Sequence, residues 1–149
     1  MTPVIPVILL VDDDDGHLMV AQRAIRLSKL GVEVHVARTG QEALRLLGLG
    51  EETAPPDEHK GPVLVMLDLW MPGMSGWDVL RRIRAEHHSV PVVVVSSSGR
   101  PDDVRRSYEL GANSYLVKRY ETERPGGYLA DAARYWVELN EPPAPAMAS

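Results

Sequence analysis

Three short apolar runs in the chain each end on a charged residue, and the three ends together suit one kind of chemistry. Val7-Ile8-Leu9-Leu10-Val11 leads into Asp12-Asp13, Val63-Leu64-Val65-Met66-Leu67 into Asp68, and Tyr115-Leu116-Val117 into Lys118. Carboxylates gathered opposite one lysine make a site for a hard divalent cation and a phosphoryl group. The carboxylates hold the metal, and the ammonium supplies a point charge for a phosphoryl oxygen. Runs of this length, rich in β-branched residues, read as buried strands of a parallel sheet. In such sheets the ligand sits just beyond the carboxyl ends of the strands, so these charges are expected to converge there.

The elements between the runs fit that placement. Leu18, Ala21, Ala24 and Ile25 follow a helical period that ends near Gly31, and Val32, Val34 and Val36 then alternate with Glu33 and His35 as a strand with one wetter face, at a sheet edge. Thr39 with Glu42, and later Ser75 with Asp78, read as capping boxes that open helices. Met71-Pro72-Gly73-Met74 is a turn by composition, Val92 to Val95 is a fourth strand ending at Ser96-Ser97-Ser98, and Pro101 suits the first turn of a helix that stops at Gly111. A fifth strand covers Ser114 to Val117 and a last helix runs from about Tyr128 to Leu139. Alternating strands and helices predict an α/β fold, a doubly wound five-stranded parallel sheet. Residues 48–61 form a long polar loop, read as an insertion or a mobile segment. Residues 1–140 are expected to make one domain and 141–149 a Pro/Ala-rich, disordered tail, with no stretch left for an output module.

Bulk composition narrows the function classes. The chain has 149 residues, 44% hydrophobic and 25% charged, which is ordinary for a globular protein. A formal net charge of -5 argues against bulk affinity for nucleic acid or an anionic membrane. There is no cysteine, hence no disulfide framework and no thiolate metal site. No run approaches membrane-spanning length and no basic, then apolar, leader opens the chain, so a cytoplasmic location is expected. His87-His88 lacks a helical metal spacing and reads as a solvated pair in a turn.

Taken singly, each aspartate is best read as a cap or turn former and the lysine as a solvated strand end. Taken in order, they carry more. Val11-Asp12-Asp13, Leu67-Asp68 followed by Met71-Pro72-Gly73-Met74-Ser75-Gly76, Val95-Ser96, and Tyr115-Leu116-Val117-Lys118 closely resemble the receiver domain of two-component response regulators over residues 4 to about 139. The resemblance implies a flavodoxin-like sheet of strand order 2-1-3-4-5 and a phosphoryl group accepted from a sensor histidine kinase. It implies Asp68 as the phosphoacceptor, and Mg²⁺ held by Asp12, Asp13, Asp68 and the main-chain carbonyl of Trp70. Ser96 and Lys118 would contact phosphoryl oxygens, and Ser96 with Tyr115 would form a switch that carries phosphorylation to the opposite face. Phosphoryl transfer of this kind asks the protein for in-line positioning and charge neutralisation rather than covalent help.

Two positions depart from the family pattern. Arg119 follows Lys118 where receivers commonly carry a proline behind a cis bond, and a trans bond is expected here. Trp70 is bulky for a residue two after the acceptor, with covering the phosphate and packing on the loop both open. Residues 106–115 together with Tyr135-Trp136 resemble the single-domain receivers that partner phytochrome-type histidine kinases and are often homodimers. Tyr128 and Tyr135, expected off the core face of the last helix that carries Leu129, Ala132, Ala133 and Trp136, and Tyr120 nearby, are the expected dimer interface.

Other readings remain open at this point. A phosphate sink or relay without binding output would have the same sequence, and a binding scaffold that no longer needs phosphorylation would not require every acidic residue and Lys118. Asp13-Asp14-Asp15-Gly16 after a strand is also similar to aspartate-nucleophile phosphohydrolases, which need a further acidic pair after a strand beyond their lysine; past Lys118 there is only Asp131 in a helical pattern.

Overall fold

The computed structural model describes residues 4–50, 61–86 and 88–143. Five strands, β1 (Val7–Val11), β2 (Glu33–Ala37), β3 (Leu64–Leu67), β4 (Val92–Ser96) and β5 (Ser114–Val117), form one parallel sheet of order β2-β1-β3-β4-β5. Helices α1 (Asp15–Leu27), α2 (Gly40–Leu46), α3 (Gly76–Ala85), α4 (Pro101–Glu109) and α5 (Gly127–Arg134) alternate with them. This is the flavodoxin-like order, 2-1-3-4-5, that the sequence resemblance implied. Every residue of β3 and β4 is buried, as are four of the five in β1. Continuous apolar runs are what a strand covered on both faces requires. The half-buried pattern of β2 follows from its place at the edge.

The two faces of the sheet carry separate cores. Leu9, Val11, Val65 and Leu67 point to the side covered by Leu44, Val79, Leu80 and Ile83; Ile8, Leu10, Leu64 and Met66 point to the side covered by Leu18, Ala21, Ile25, Leu129 and Ala133. That alternation is the period-two pleat of a strand, and in β1 and β3 it leaves the polar residues to the strand ends. Among the described residues, no helix is long and apolar enough to cross a membrane.

Local structure corrects several expectations. Ser75 and Asp78 form a complete capping box, whereas Thr39 bonds the Glu42 amide and the Glu42 carboxylate accepts instead from the Arg38 amide. His88 is buried rather than solvated, its Nδ1 accepting the Val90 amide at 3.2 Å; His87 lies outside the described residues. The last helix is not α-helical to its end, because Tyr135–Leu139 continues as a π-helical turn closed by the Asn140 amide on the Tyr135 carbonyl at 2.7 Å. Leu129 and Ala133 are buried and Ala132 and Trp136 pack against the same core, as expected. Tyr128 packs on that core as well, which corrects its expected place off the core face. Most of the 48–61 loop and residues 144–149 of the tail lie outside the described residues.

Candidate functional site

The ladder itself positions the three charges. The amide of Asp12 donates to the Ala37 carbonyl at 3.0 Å, that of Asp68 to Val11 at 2.9 Å, and that of Lys118 to Ser96 at 2.7 Å. Each charged residue thus takes one more step of parallel pairing beyond its strand. The outcome is convergence: Lys118 Nζ lies 3.0 Å from Asp12 Oδ2 and 3.6 Å from Asp68 Oδ2. Asp12 and Asp68 are buried, while Asp13 is exposed. Carboxylate oxygens of Asp12, Asp13 and Asp68 lie within 4.8 Å of one another. That is an all-oxygen donor set of the kind that suits Mg²⁺ or another hard cation.

The loop after Asp68 is fixed from both sides. The Gly76 amide bonds the Leu69 carbonyl at 2.9 Å, which draws the start of α3 tightly against Asp68. A Cβ at position 76 would sit 2.2 Å from the Asp68 carbonyl oxygen, so only glycine allows this approach. The Asp68 carboxylate also accepts from the Trp70 amide. The Trp70 ring is half-exposed and meets Trp77 edge-on at 5.0 Å. Trp77 in turn is buried, donates to Ser107 Oγ at 3.0 Å and lies under the Arg106 guanidinium.

Electrostatics separate the two buried carboxylates. Burial pushes Asp68 up to about 6 against the pull of Lys118, and the neighbouring Asp12 charge adds to the rise. For Asp12, burial works the same way but is outweighed by hydrogen bonds from His17, the Asp14 amide and Lys118, which hold it at about 2. Lys118 is raised: burial opposes its charge, and Asp68 and Asp12 more than restore it. One carboxylate is therefore firmly ionised and tied to the lysine. The other is desolvated, with fewer bonds on its oxygens, and a carboxylate in that state is the better nucleophile.

Ser96 is fully buried, and its Oγ accepts the Ser98 amide at 3.1 Å. Tyr115 donates its hydroxyl to the Ser98 carbonyl at 2.7 Å. Ser98 thus touches both expected switch residues, and its own hydroxyl reaches Asp103 in α4 at 2.5 Å. Sequence reasoning passed over Ser98, and also His17, whose Nδ1 lies 2.7 Å from Asp12 Oδ2. The available signal for His17 was its position in the first turn of α1, where side chains lean back toward the strand end.

Arg119 has a physical explanation. No peptide bond among the described residues is cis, Lys118–Arg119 included. The Arg119 amide, which a proline would lack, donates to the Tyr128 hydroxyl, and its guanidinium lies 5.2 Å from the centre of the Tyr128 ring. This contact draws Tyr128 inward. Of the three expected interface tyrosines, Tyr120 is fully exposed, Tyr135 is about half-exposed with its ring edge-on to Trp136, and Tyr128 is withdrawn.

Residues 8–125 match the family model for the response regulator receiver domain. The chain belongs to that family. Among its relatives, Rcp1 of Synechocystis is 31% identical over 140 residues, covering 93% of each chain. A probable methanogenesis regulatory protein, FilR2 of Methanothrix harundinacea, is 34% identical over 142 residues, or 94% of this chain and 89% of FilR2. Other relatives are longer, and the chain spans only 44% of PrrA from Mycobacterium leprae. The crystal structure of the phosphorylated cyanobacterial phytochrome response regulator RcpA superposes with a TM-score of 0.82 at 29% identity, covering 95% of this chain and all of RcpA, 100%. Rcp1 in its Mn²⁺-bound form gives 0.77 at 30% identity, over 93% of this chain and 99% of Rcp1. The receiver thus shares its architecture with two-component signalling proteins rather than with the phosphohydrolases. Among its described residues no strand follows Lys118, and Asp131 lies exposed on α5, paired with Arg124.

Proposed function

We propose that this receiver is a stand-alone response regulator that accepts a phosphoryl group on Asp68 from a sensor histidine kinase. The observation that carries the reading is the convergence of a desolvated Asp68, a lysine 3.6 Å away and two further carboxylates on one strand-end rim. A carboxylate oxygen of Asp68 attacks phosphorus as the bond to the donor histidine nitrogen breaks, leaving an aspartyl-phosphate. Lys118 leaves Asp12 for a phosphoryl oxygen, and the Ser96 hydroxyl gives up the Ser98 amide to reach another. Asp12, Asp13, Asp68 and the Trp70 main-chain carbonyl would hold Mg²⁺, which neutralises charge on the phosphoryl oxygens. Movement of Ser96 then frees Ser98, and with it the support of the Tyr115 hydroxyl, shifting the population between two packings of the β4–α4 loop. The chain acts as a phosphoacceptor rather than a turnover enzyme.

The kinase is of the phytochrome type in this reading, supported by the likeness to RcpA along nearly the whole chain. A homodimer through α4, β5 and the final helix rests on Tyr120 and Tyr135, with Tyr128 relieved of that role. Intact-mass measurement with Mg²⁺ and acetyl phosphate, and separately with a phosphorylated kinase, tests the central step. The wild type should gain one phosphoryl group, and neither Asp68→Asn nor chelated wild type should. Labelling of Asp68→Asn on a first-strand aspartate would sink the assignment.

A further inference from the structure

His17 belongs to none of the motifs above, yet its surroundings are not those of a packing residue. It is the third residue of α1, and its amide bonds the N-cap carboxylate of Asp14 at 3.2 Å. Its ring turns back toward the strand ends. Nδ1 lies 2.7 Å from Asp12 Oδ2, and because an ionised carboxylate only accepts, the imidazole is the donor. Nε2 is buried with no hydrogen-bond partner among the described residues. The ring borders a small cavity of about 20 Å³ lined by Asp12 and Asp68 and otherwise by apolar side chains, Leu10, Leu18, Met66 and Leu129 among them. An aliphatic side chain would fill such a slot without stranding a ring nitrogen. The imidazole is explained by its one polar contact, the bond to Asp12.

Asp12 shows why that bond matters. Oδ1 accepts the Asp14 amide at 2.9 Å, and Oδ2 accepts Lys118 at 3.0 Å as well as His17. Lys118 also serves Asp68, on a long flexible stem, and must leave Asp12 if it is to reach a phosphoryl oxygen. His17 sits on a rigid helix and need not move. We infer that His17 is a positioning residue for the cation site, its Nδ1–H holding the Asp12 carboxylate in the orientation that faces Asp13 and Asp68 while Lys118 turns away. The inference rests on the reading of Asp12, Asp13 and Asp68 as the Mg²⁺ site. Hydrogen bonds that orient a ligand carboxylate in this way commonly matter 10–100-fold in metal affinity.

The test is titration of the full chain with MgCl₂, followed by tryptophan fluorescence, since Trp70 lies two residues from Asp68. His17→Leu should weaken Mg²⁺ about tenfold. His17→Asn, whose amide nitrogen sits where Nδ1 does, should restore most of that loss, while His17→Gln, which places it where Nε2 does, should not. A packing role would not separate Asn from Gln in this order. Equal affinity of wild type and His17→Leu, or of the Asn and Gln variants, would overturn the inference; so would tighter binding by His17→Leu, which would make His17 a competitor of the metal. If His17→Leu does not fold, the Asn and Gln pair decides. Asp13→Asn separates the two levels: a wild type whose fluorescence shows no Mg²⁺ response that Asp13→Asn weakens would bring down the metal reading and this inference together. A normal response in His17→Leu that Asp13→Asn abolishes would bring down this inference alone.

Discussion

The central strands β1 and β3 and the outer strand β5 end on the same rim, but they hold their residues in opposite ways. Between them β1 and β3 have one residue that is not buried, and their terminal aspartates are fixed by ladder bonds and by neighbours on several sides. None of the four residues of β5 is buried, and Tyr115 is held at its hydroxyl by one carbonyl. Charges placed at the buried centre keep a constant geometry whatever happens around them. Groups on the outer strand can exchange one packing for another at small cost. The sheet therefore separates a rigid acceptor from a movable reporter, and Ser96–Ser98 is the bridge between the two.

The largest expected effect is at the centre. Asp68 has a folded-state value of about 6 against an ordinary 3.8, so its contribution to folding is intact below about pH 4 and is lost as pH rises through 6. Asp12, held at about 2, has the opposite sign: its contribution is present above 3.8 and is lost as pH falls toward 2. Without metal at neutral pH, Asp68→Asn should stabilise the receiver by about 2 kcal/mol, allowing for partial solvent screening of the carboxylate. Denaturant melts from pH 4 to 8 should show the gain growing mainly through the lower half of that range and levelling off above about 6. Added Mg²⁺ should reverse the ranking by stabilising only the wild type. An Asp68→Asn variant less stable than wild type at neutral pH without metal would mean that the centre is not strained.

Much of this contrast was legible in the sequence, and the gaps have physical reasons. The buried strands and their terminal charges could be read because burial on both faces leaves an unbroken apolar run. The Ser75–Asp78 box could be read because its bonds are local. Thr39–Glu42 was half right, since Glu42 found a competing donor in Arg38, one residue before the N-cap. The π-helical turn at Tyr135 has no composition signal, and it shifts the phase of every side chain after it. Tyr128 was misplaced because helical periodicity does not register a capture by Arg119, nine positions earlier in the chain. His88 was misread because a pair of histidines in a turn looks solvated until the backbone folds over one of them.

On the outer face the proposed dimer gives an effect of intermediate size. Tyr135 is about half-exposed and braced by Trp136, so its ring is presented in a fixed orientation. Truncating an interface aromatic typically removes about 1 kcal/mol or more, so Tyr135→Ala should weaken self-association roughly fivefold. Tyr128→Ala should instead lower the melting temperature, because that ring packs on the core. Sedimentation over a range of concentrations, beside thermal melts, separates the two. A wild type that remains monomeric, with and without a phosphoryl donor, removes the dimer.

The smallest effect probes the bridge. Tyr115→Phe deletes one hydroxyl and strands the Ser98 carbonyl, on a loop where Ser98 is only partly buried and water can replace the lost donor. A typical hydrogen bond is worth about 0.5–1.5 kcal/mol net, and this one should fall at the low end of that range. The acceptor geometry should not change, because Tyr115 contributes nothing to the bonds that fix Asp68, Asp12 or Lys118. Asp68 labelling by acetyl phosphate in Tyr115→Phe should therefore match wild type. What should change is the response of the α4–β5–α5 face: the difference in hydrogen exchange there between the phosphorylated and unphosphorylated protein should shrink, because the unphosphorylated packing has already lost its anchor. A variant that labels much more slowly than wild type would show that the outer strand helps to build the acceptor, and the division between a rigid centre and a movable edge would fail.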